Sequence, residues 1–101
     1  MVYFSLRESK QNKKGESPIE ISISANGERV YFSSGKSVQT NEWNKVKQIV
    51  KGKSEQAQLI NDYLIQVRNR IYQKEMELIK SGYIVTPTLL RDAYLGRIES
   101  L

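Results

Sequence analysis

Three stretches near the start of the chain alternate apolar and polar residues with period two. Val2, Phe4 and Leu6 fall on one side, with Tyr3, Ser5 and Arg7 on the other. Ile19, Ile21, Ile23 and Ala25 alternate with Glu20, Ser22 and Ser24, and Val30 and Phe32 alternate with Arg29, Tyr31 and Ser33. Such alternation marks a half-buried strand, because successive side chains leave opposite faces. Residues 8–18 are polar, carry Gly15 and Pro18, and predict a loop. Asn26-Gly27 separates the second and third stretches and suits the two positive φ angles of a type I′ hairpin turn. A two-residue turn there pairs residues whose numbers sum to 53: Ile23 with Val30, Ile21 with Phe32, Ser22 with Tyr31, Ser24 with Arg29. Apolar then meets apolar, and a slip of one residue scrambles both faces. Gly35 is the expected end of the third strand.

Residues 36–53 have no clear period. Trp43 stands at their centre beside a small apolar group, Val46, Ile49 and Val50, and the pattern leaves room for a short edge strand without requiring one. From Ser54 the period becomes helical. Ser54 suits an N-cap and Glu55 the first turn. Ala57, Ile60, Leu64, Val67, Ile71 and Leu78 form an apolar stripe, which Tyr63, Met76 and Ile79 are expected to widen. The helix should close near Lys80, with Gly82 as its stop. Thr86-Pro87 then opens a shorter helix with Leu89, Leu90, Ala93 and Tyr94 on one face, ended by Gly96.

These elements predict an α+β fold. A three-stranded antiparallel sheet, apolar on one face through Phe4, Leu6, Ile19, Ile21, Ile23, Val30 and Phe32, packs on one long helix, followed by a short second helix. Each layer needs the other to bury its apolar side. Trp43 is expected to close one end of the core.

Composition narrows the chemistry. The 101 residues suffice for one small domain. We divide them into a unit over 1–82 and a linker with short helix over 83–101. With no Cys and no His, neither a disulfide frame nor a Cys/His metal site nor Ser-His-Asp catalysis can be built. Glu20 and Glu28 form no carboxylate pair, and no Gly-rich phosphate loop is present. The reading is therefore a non-enzyme with no cofactor, no metal and no small-molecule ligand. No apolar run is long enough to span a membrane, and Met1–Arg7 is not a secretory signal, so a cytoplasmic protein with no membrane partner is expected.

The net charge of +5 is uneven. Residues 1–54 hold ten Lys and Arg against five Glu, whereas 55–101 hold six of each sign. A one-sided basic excess suits a polyanion, although solubility alone also explains a charge of this size. With the helix on one side of the sheet, the other face is left open. It is made of Tyr3, Ser5, Arg7, Ser22, Ser24, Arg29, Tyr31 and Ser33, with Glu20 among them. That face is either a solvated surface or a recognition surface. Ser and Tyr hydroxyls can exchange hydrogen bonds with base edges, and Arg can fork onto guanine in a major groove ~12 Å wide. Lys10, Lys13 and Lys14 on one side, and Lys36, Lys45, Lys47, Lys51 and Lys53 elsewhere, are the candidate phosphate contacts.

The ordered set of motifs resembles a known family. It comprises Tyr3-Phe4-Ser5-Leu6-Arg7, Lys-Lys-Gly-Glu-Ser-Pro-Ile at 13–19, Ile-Ser-Ile-Ser-Ala-Asn-Gly-Glu-Arg at 21–29, and Phe32-Ser33-Ser34-Gly35. Trp43, Lys51-Gly52-Lys53-Ser54 and Val85-Thr86 follow. Together they are similar to the arm-type DNA-binding domain at the N-terminus of tyrosine recombinases, the integrases of conjugative transposons and prophages. The resemblance implies a sheet that enters the major groove of double-stranded DNA at arm sites. It also implies other integrase protomers as partners in a recombination complex, a role in DNA integration, and a bacterial, nucleoid-associated location. Strand cutting would belong to a separate domain, so the chain reads as an N-terminal fragment and none of its tyrosines as the nucleophile. Two rival classes remain, a double-stranded RNA-binding domain and a protein-interaction module. The acidic opening of the long helix at Glu55 speaks against the RNA reading.

Overall fold

The Asn26-Gly27 turn forms as its residues require: both have positive φ, +53° and +79°, and the strands it joins fold back in the pairing that sums to 53. In this computed structural model, which describes residues 1–98, β1 (Val2–Leu6), β2 (Glu16–Ala25) and β3 (Glu28–Gln39) make an antiparallel sheet in the order β1-β2-β3. The first strand sets Val2, Phe4 and Leu6 against Ile23, Ile21 and Ile19. Apolar residues thus cross all three strands in rows on one face.

Two strands are longer than the alternation predicts. β3 continues past Gly35 because that glycine (φ +78°) sits in a bulge rather than at a strand end. Ser34, Gly35 and Lys36 all stand opposite Ile19, and pairing resumes with Ser37 against Pro18. The buried Ser34 hydroxyl holds the bulge, donating to the Ile19 carbonyl at 2.6 Å and accepting from the Lys36 N–H at 3.1 Å. β2 begins earlier, at Glu16, and tolerates Pro18 because β1 runs out there; only the Pro18 carbonyl is used, accepting from Arg7 N–H at 2.9 Å.

The stretch without a clear period resolves into the tail of β3, a 3-10 turn at Thr40–Glu42, and a minimal hairpin of β4 (Trp43–Asn44) and β5 (Ile49–Val50). Trp43 and Val50 are buried, as a cap on the core requires, but Val46 is 91% exposed and Ile49 is also exposed, so the expected apolar group there does not form. The hairpin is fastened to the free edge of β1: Phe4 N–H donates to Gln48 Oε1 at 2.7 Å.

Helix α1 (Glu55–Lys80) starts and stops where its caps dictate. Ser54 accepts from Ala57 N–H at 3.1 Å, and beyond Lys80 the Tyr83 N–H reaches back to the Leu78 carbonyl at 3.0 Å, with Gly82 at φ +86°. Ala57, Leu64, Val67, Ile71 and Leu78 are buried against the sheet. Tyr63 is half-buried, but Met76 and Ile79 are each 54% exposed. The stripe is therefore narrower than the sequence predicts, because its centre already fills the space the small sheet offers. Helix α2 (Pro87–Tyr94) is capped by Thr86, which accepts from Leu89 N–H at 3.1 Å. Leu90 and Ala93 are buried in the same core, and the Tyr94 ring lies 5.7 Å from that of Phe32.

Candidate nucleic-acid interface

The face of the sheet away from α1 carries the residues that alternate with the core. Cross-strand pairing arranges them in rows: Tyr3, Ser22 and Tyr31; Ser5, Glu20 and Ser33; and Ser24 beside Arg29. The rows are not equally accessible. Tyr31 is 52% exposed, and Ser5, Ser33, Arg7 and Arg29 are also exposed. Ser24 and Tyr3 are half-buried. Ser22 lies on this face but is only 3% exposed, since it sits on the central strand with a tyrosine on either side. It acts as a floor under Tyr3 and Tyr31.

Both arginines are held. The Arg29 guanidinium lies 5.6 Å from the centre of the Tyr3 ring, a cation–π shelf that restricts a long side chain. Arg7 Nε stands 3.7 Å from Glu20 Oε2. With Lys10, Pro18, Tyr31 and Ser33, these two residues border a shallow concavity of about 410 Å³ beside the bulge. Glu20 is the residue whose part here the sequence pattern left unassigned. Its alternation placed it on the open face, but only the register across β1 brings its carboxylate to Arg7. A carboxylate at that point repels phosphate yet can accept a hydrogen bond from the N4 amine of cytosine.

The candidate phosphate contacts are distributed unevenly. Lys10, Lys13 and Lys14 are exposed on the segment between β1 and β2. This segment is well tied. Asn12 Oδ1 accepts from Lys14 N–H at 2.9 Å and Glu16 N–H at 3.0 Å, and Gln39 Nε2 donates to the Lys14 carbonyl at 3.0 Å. The loop expected between the first two strands is thus, around Asn12–Glu16, a turn stapled to the end of β3. Lys45 and Lys47 are exposed on the β4–β5 turn, and Lys45 Nζ stands 3.8 Å from Glu8 Oε2, which draws that turn toward the segment after β1. Lys51 Nζ donates to the Asn41 carbonyl at 3.3 Å, and Lys53 is exposed just before α1. Lys36 goes elsewhere. Its ammonium lies 5.0 Å from the centre of the Tyr63 ring on α1, on the helix side of the sheet.

Comparison with known protein families matches residues 4–91 to the family described as Arm DNA-binding domain. The chain belongs to that family. The match runs from β1 into α2 and so covers the sheet, the β4–β5 hairpin and α1. Comparisons with curated proteins and with solved structures return no match. In this arm domain, no group of acidic residues able to hold a metal ion occurs among the described residues, and no described helix is long and apolar enough to cross a membrane. Away from the open face, burial raises the Tyr94 phenol above its ordinary value, nearby Tyr63 adds to this, and Arg70 opposes it.

Proposed function

We infer that this arm domain reads arm-type sites in duplex DNA by laying the open face of its sheet into the major groove, as the N-terminal, non-cutting part of a site-specific tyrosine recombinase. The observation that carries the reading is the pairing of two restrained arginines with an exposed tyrosine on one three-stranded face: Arg29 on the Tyr3 ring, Arg7 on Glu20, Tyr31 between them. Restraint lowers the entropy lost when a guanidinium forks onto guanine, and phosphate contacts from outside the groove fix the register. Lys10, Lys13, Lys14, Lys45 and Lys47 flank the face from the two adjoining turns and take the phosphate role; Lys51 and Lys53 lie farther along the chain, and Lys36 is the weakest member of the set. We include α2 in the domain, because Leu90 and Ala93 share the sheet's core. In the cell this reading places the protein on bacterial DNA within the nucleoid, in complexes with other recombinase protomers.

Titrating the chain with random duplex DNA and with duplex RNA, at increasing salt, tests the reading. Non-specific DNA binding in the range ~10⁻⁴–10⁻⁶ M is expected, with log K falling against log salt at a slope of about −4 to −5 if four to six cations meet phosphates. Amide shifts should concentrate on β1–β3 and the segment 7–15. A flat salt response removes the nucleic-acid reading, and preference for duplex RNA replaces DNA by RNA as the ligand.

A further inference from the structure

Helix α1 has a second apolar stripe that the fold does not use. Ile65, Tyr72, Met76 and Ile79 are all exposed, the three aliphatic ones at 54% each. Their spacing of seven, four and three is that of a and d positions in a heptad. At about 100° per residue this stripe is centred about 120° round the helix from the one made by Leu64, Val67, Ile71 and Leu78. Asp62 and Asn69 complete the a positions, so the seam carries polar residues at its start and middle. Arg68 and Glu75 stand one heptad apart on its rim, both half-buried, and neither is in an ion pair among the described residues.

We propose that this seam is an interface for a second copy of the same chain, with the two α1 helices antiparallel about a two-fold axis. The charges select the arrangement. Setting Asn69 against the partner copy's Tyr72 also sets Ile65 against Met76, places the exposed Asp62 beside Ile79 at each end of the seam, and brings Arg68 of each copy to Glu75 of the other. The ion pair then forms twice, once on each side of the two-fold axis. The central Asn69 amide meets a tyrosine hydroxyl rather than a hydrocarbon. Sliding by one heptad in either direction opposes Arg68 to Arg68 or Glu75 to Glu75. A parallel pair in register stacks Asp62 on Asp62 and leaves Arg68 facing Gln73. The Arg68 guanidinium lies 4.8 Å from the centre of the Phe4 ring, which fixes it at the margin of the seam. Self-complementarity of charge, register and polar layer thus points to the same chain as the occupant.

The arrangement has a geometric consequence. Because the seam lies about a third of a turn round α1 from the stripe that meets the sheet, two copies joined through α1 keep both open faces uncovered. Where those faces bind DNA, which rests on the function proposed above, the dimer carries two binding faces on one particle.

Sedimentation of the full chain without DNA tests the dimer independently of that function. A concentration-dependent shift from monomer to dimer is expected below ~1 mM. Arg68→Glu and Glu75→Arg should each weaken self-association about tenfold, the scale of two exposed ion pairs turned into repulsions. An equimolar mixture of the two variants should restore it, since each 68/75 contact is then attractive again. That recovery also rules out misfolding as the cause of the loss, and circular dichroism of each variant checks the fold directly. A chain that stays monomeric up to ~1 mM overturns the proposal and leaves the stripe to a different partner. Dimerisation unaffected by Arg68→Glu overturns the antiparallel register. If the dimer forms but binds no duplex DNA, the DNA reading fails and the interface stands.

Discussion

The two faces of the three-stranded sheet are built by the same strands and differ only in which alternate residues they receive. One face carries Phe4, Ile21 and Phe32 in a row across β1, β2 and β3; the other carries Tyr3, Ser22 and Tyr31 one residue away. The first row is closed by helices: Phe4 and Ile21 are buried, and Phe32 packs on Tyr94. In the second, only the middle residue is covered, and by its own neighbours. Fold and recognition are thereby assigned to opposite faces of the same backbone. A substitution can strike one while leaving the other nearly intact, and the largest effects should fall on the core side.

Ile21→Ala makes the strongest break. Ile21 is 1% exposed, and deleting its side chain removes burial and leaves a cavity in a domain with one thin core. A loss of about 2–5 kcal/mol is expected, checked by denaturant unfolding. Tyr31→Ala, on the open face and 52% exposed, should change stability by no more than about 1 kcal/mol. Unfolding of the Tyr31 variant would show that the outer face, too, holds the fold together.

Arg29→Ala and Arg7→Ala sharpen the contrast from the other side. Each should cost roughly 1–3 kcal/mol of binding on the true site and relax preference at particular bases, with stability little changed. The two should differ in kind. Removing Arg29 frees the Tyr3 ring. Removing Arg7 leaves the Glu20 carboxylate unpaired on the binding face, so Arg7→Ala should also weaken non-specific binding, and Glu20→Gln should partly restore it. Selection from a randomised duplex pool, run on each variant, is the check.

Most of this division was legible in the sequence, for a local reason. Period-two alternation assigns residues to faces, and Asn26-Gly27 fixes the β2–β3 register within a few residues of chain. Ser54 and Thr86 likewise announced the helix starts through side chains that cap the next turn. What was not legible depends on distant partners. Gly35 reads equally as a strand end or a bulge; the choice rests on Ser34 reaching the Ile19 carbonyl, fifteen residues back. The β4–β5 hairpin owes its place to Gln48 meeting the Phe4 N–H across 44 residues. The same limit affected the site. Alternation put Ser22 outside but could not show two tyrosines closing over it, and a count of basic residues could not show that Lys36 turns back to Tyr63.

Lys13→Ala probes the rim of the open face, where contacts should carry charge but no sequence. Its side chain is exposed on the turn that Asn12 and Gln39 fasten to the end of β3. All duplexes should be weakened about equally, and the salt slope reduced by about one unit. A change in base preference on losing Lys13, with Arg29→Ala altering only overall affinity, would transfer base reading from the sheet to the turn.

The smallest effect returns to the core side and is read through pH. The Tyr94 ring packs tilted against Phe32, their centres 5.7 Å apart, and burial raises its phenol above the ordinary value of 10.0. A group whose folded pKa lies above its unfolded one contributes stability that is fully present below the unfolded pKa. That contribution is lost as pH rises from the unfolded pKa through the folded one, because the unfolded chain ionises first. Stability should therefore be flat with respect to this group at neutral pH and begin to fall as pH passes 10.0. Tyr94→Phe keeps the ring against Phe32 and removes the ionisation. Subtracting its unfolding free energy from that of the parent, pH by pH, isolates the Tyr94 contribution. An alkaline slope left unchanged by Tyr94→Phe would mean that the helix side of the sheet is as wet as the open one, and the contrast between the faces would fail at its most sensitive point.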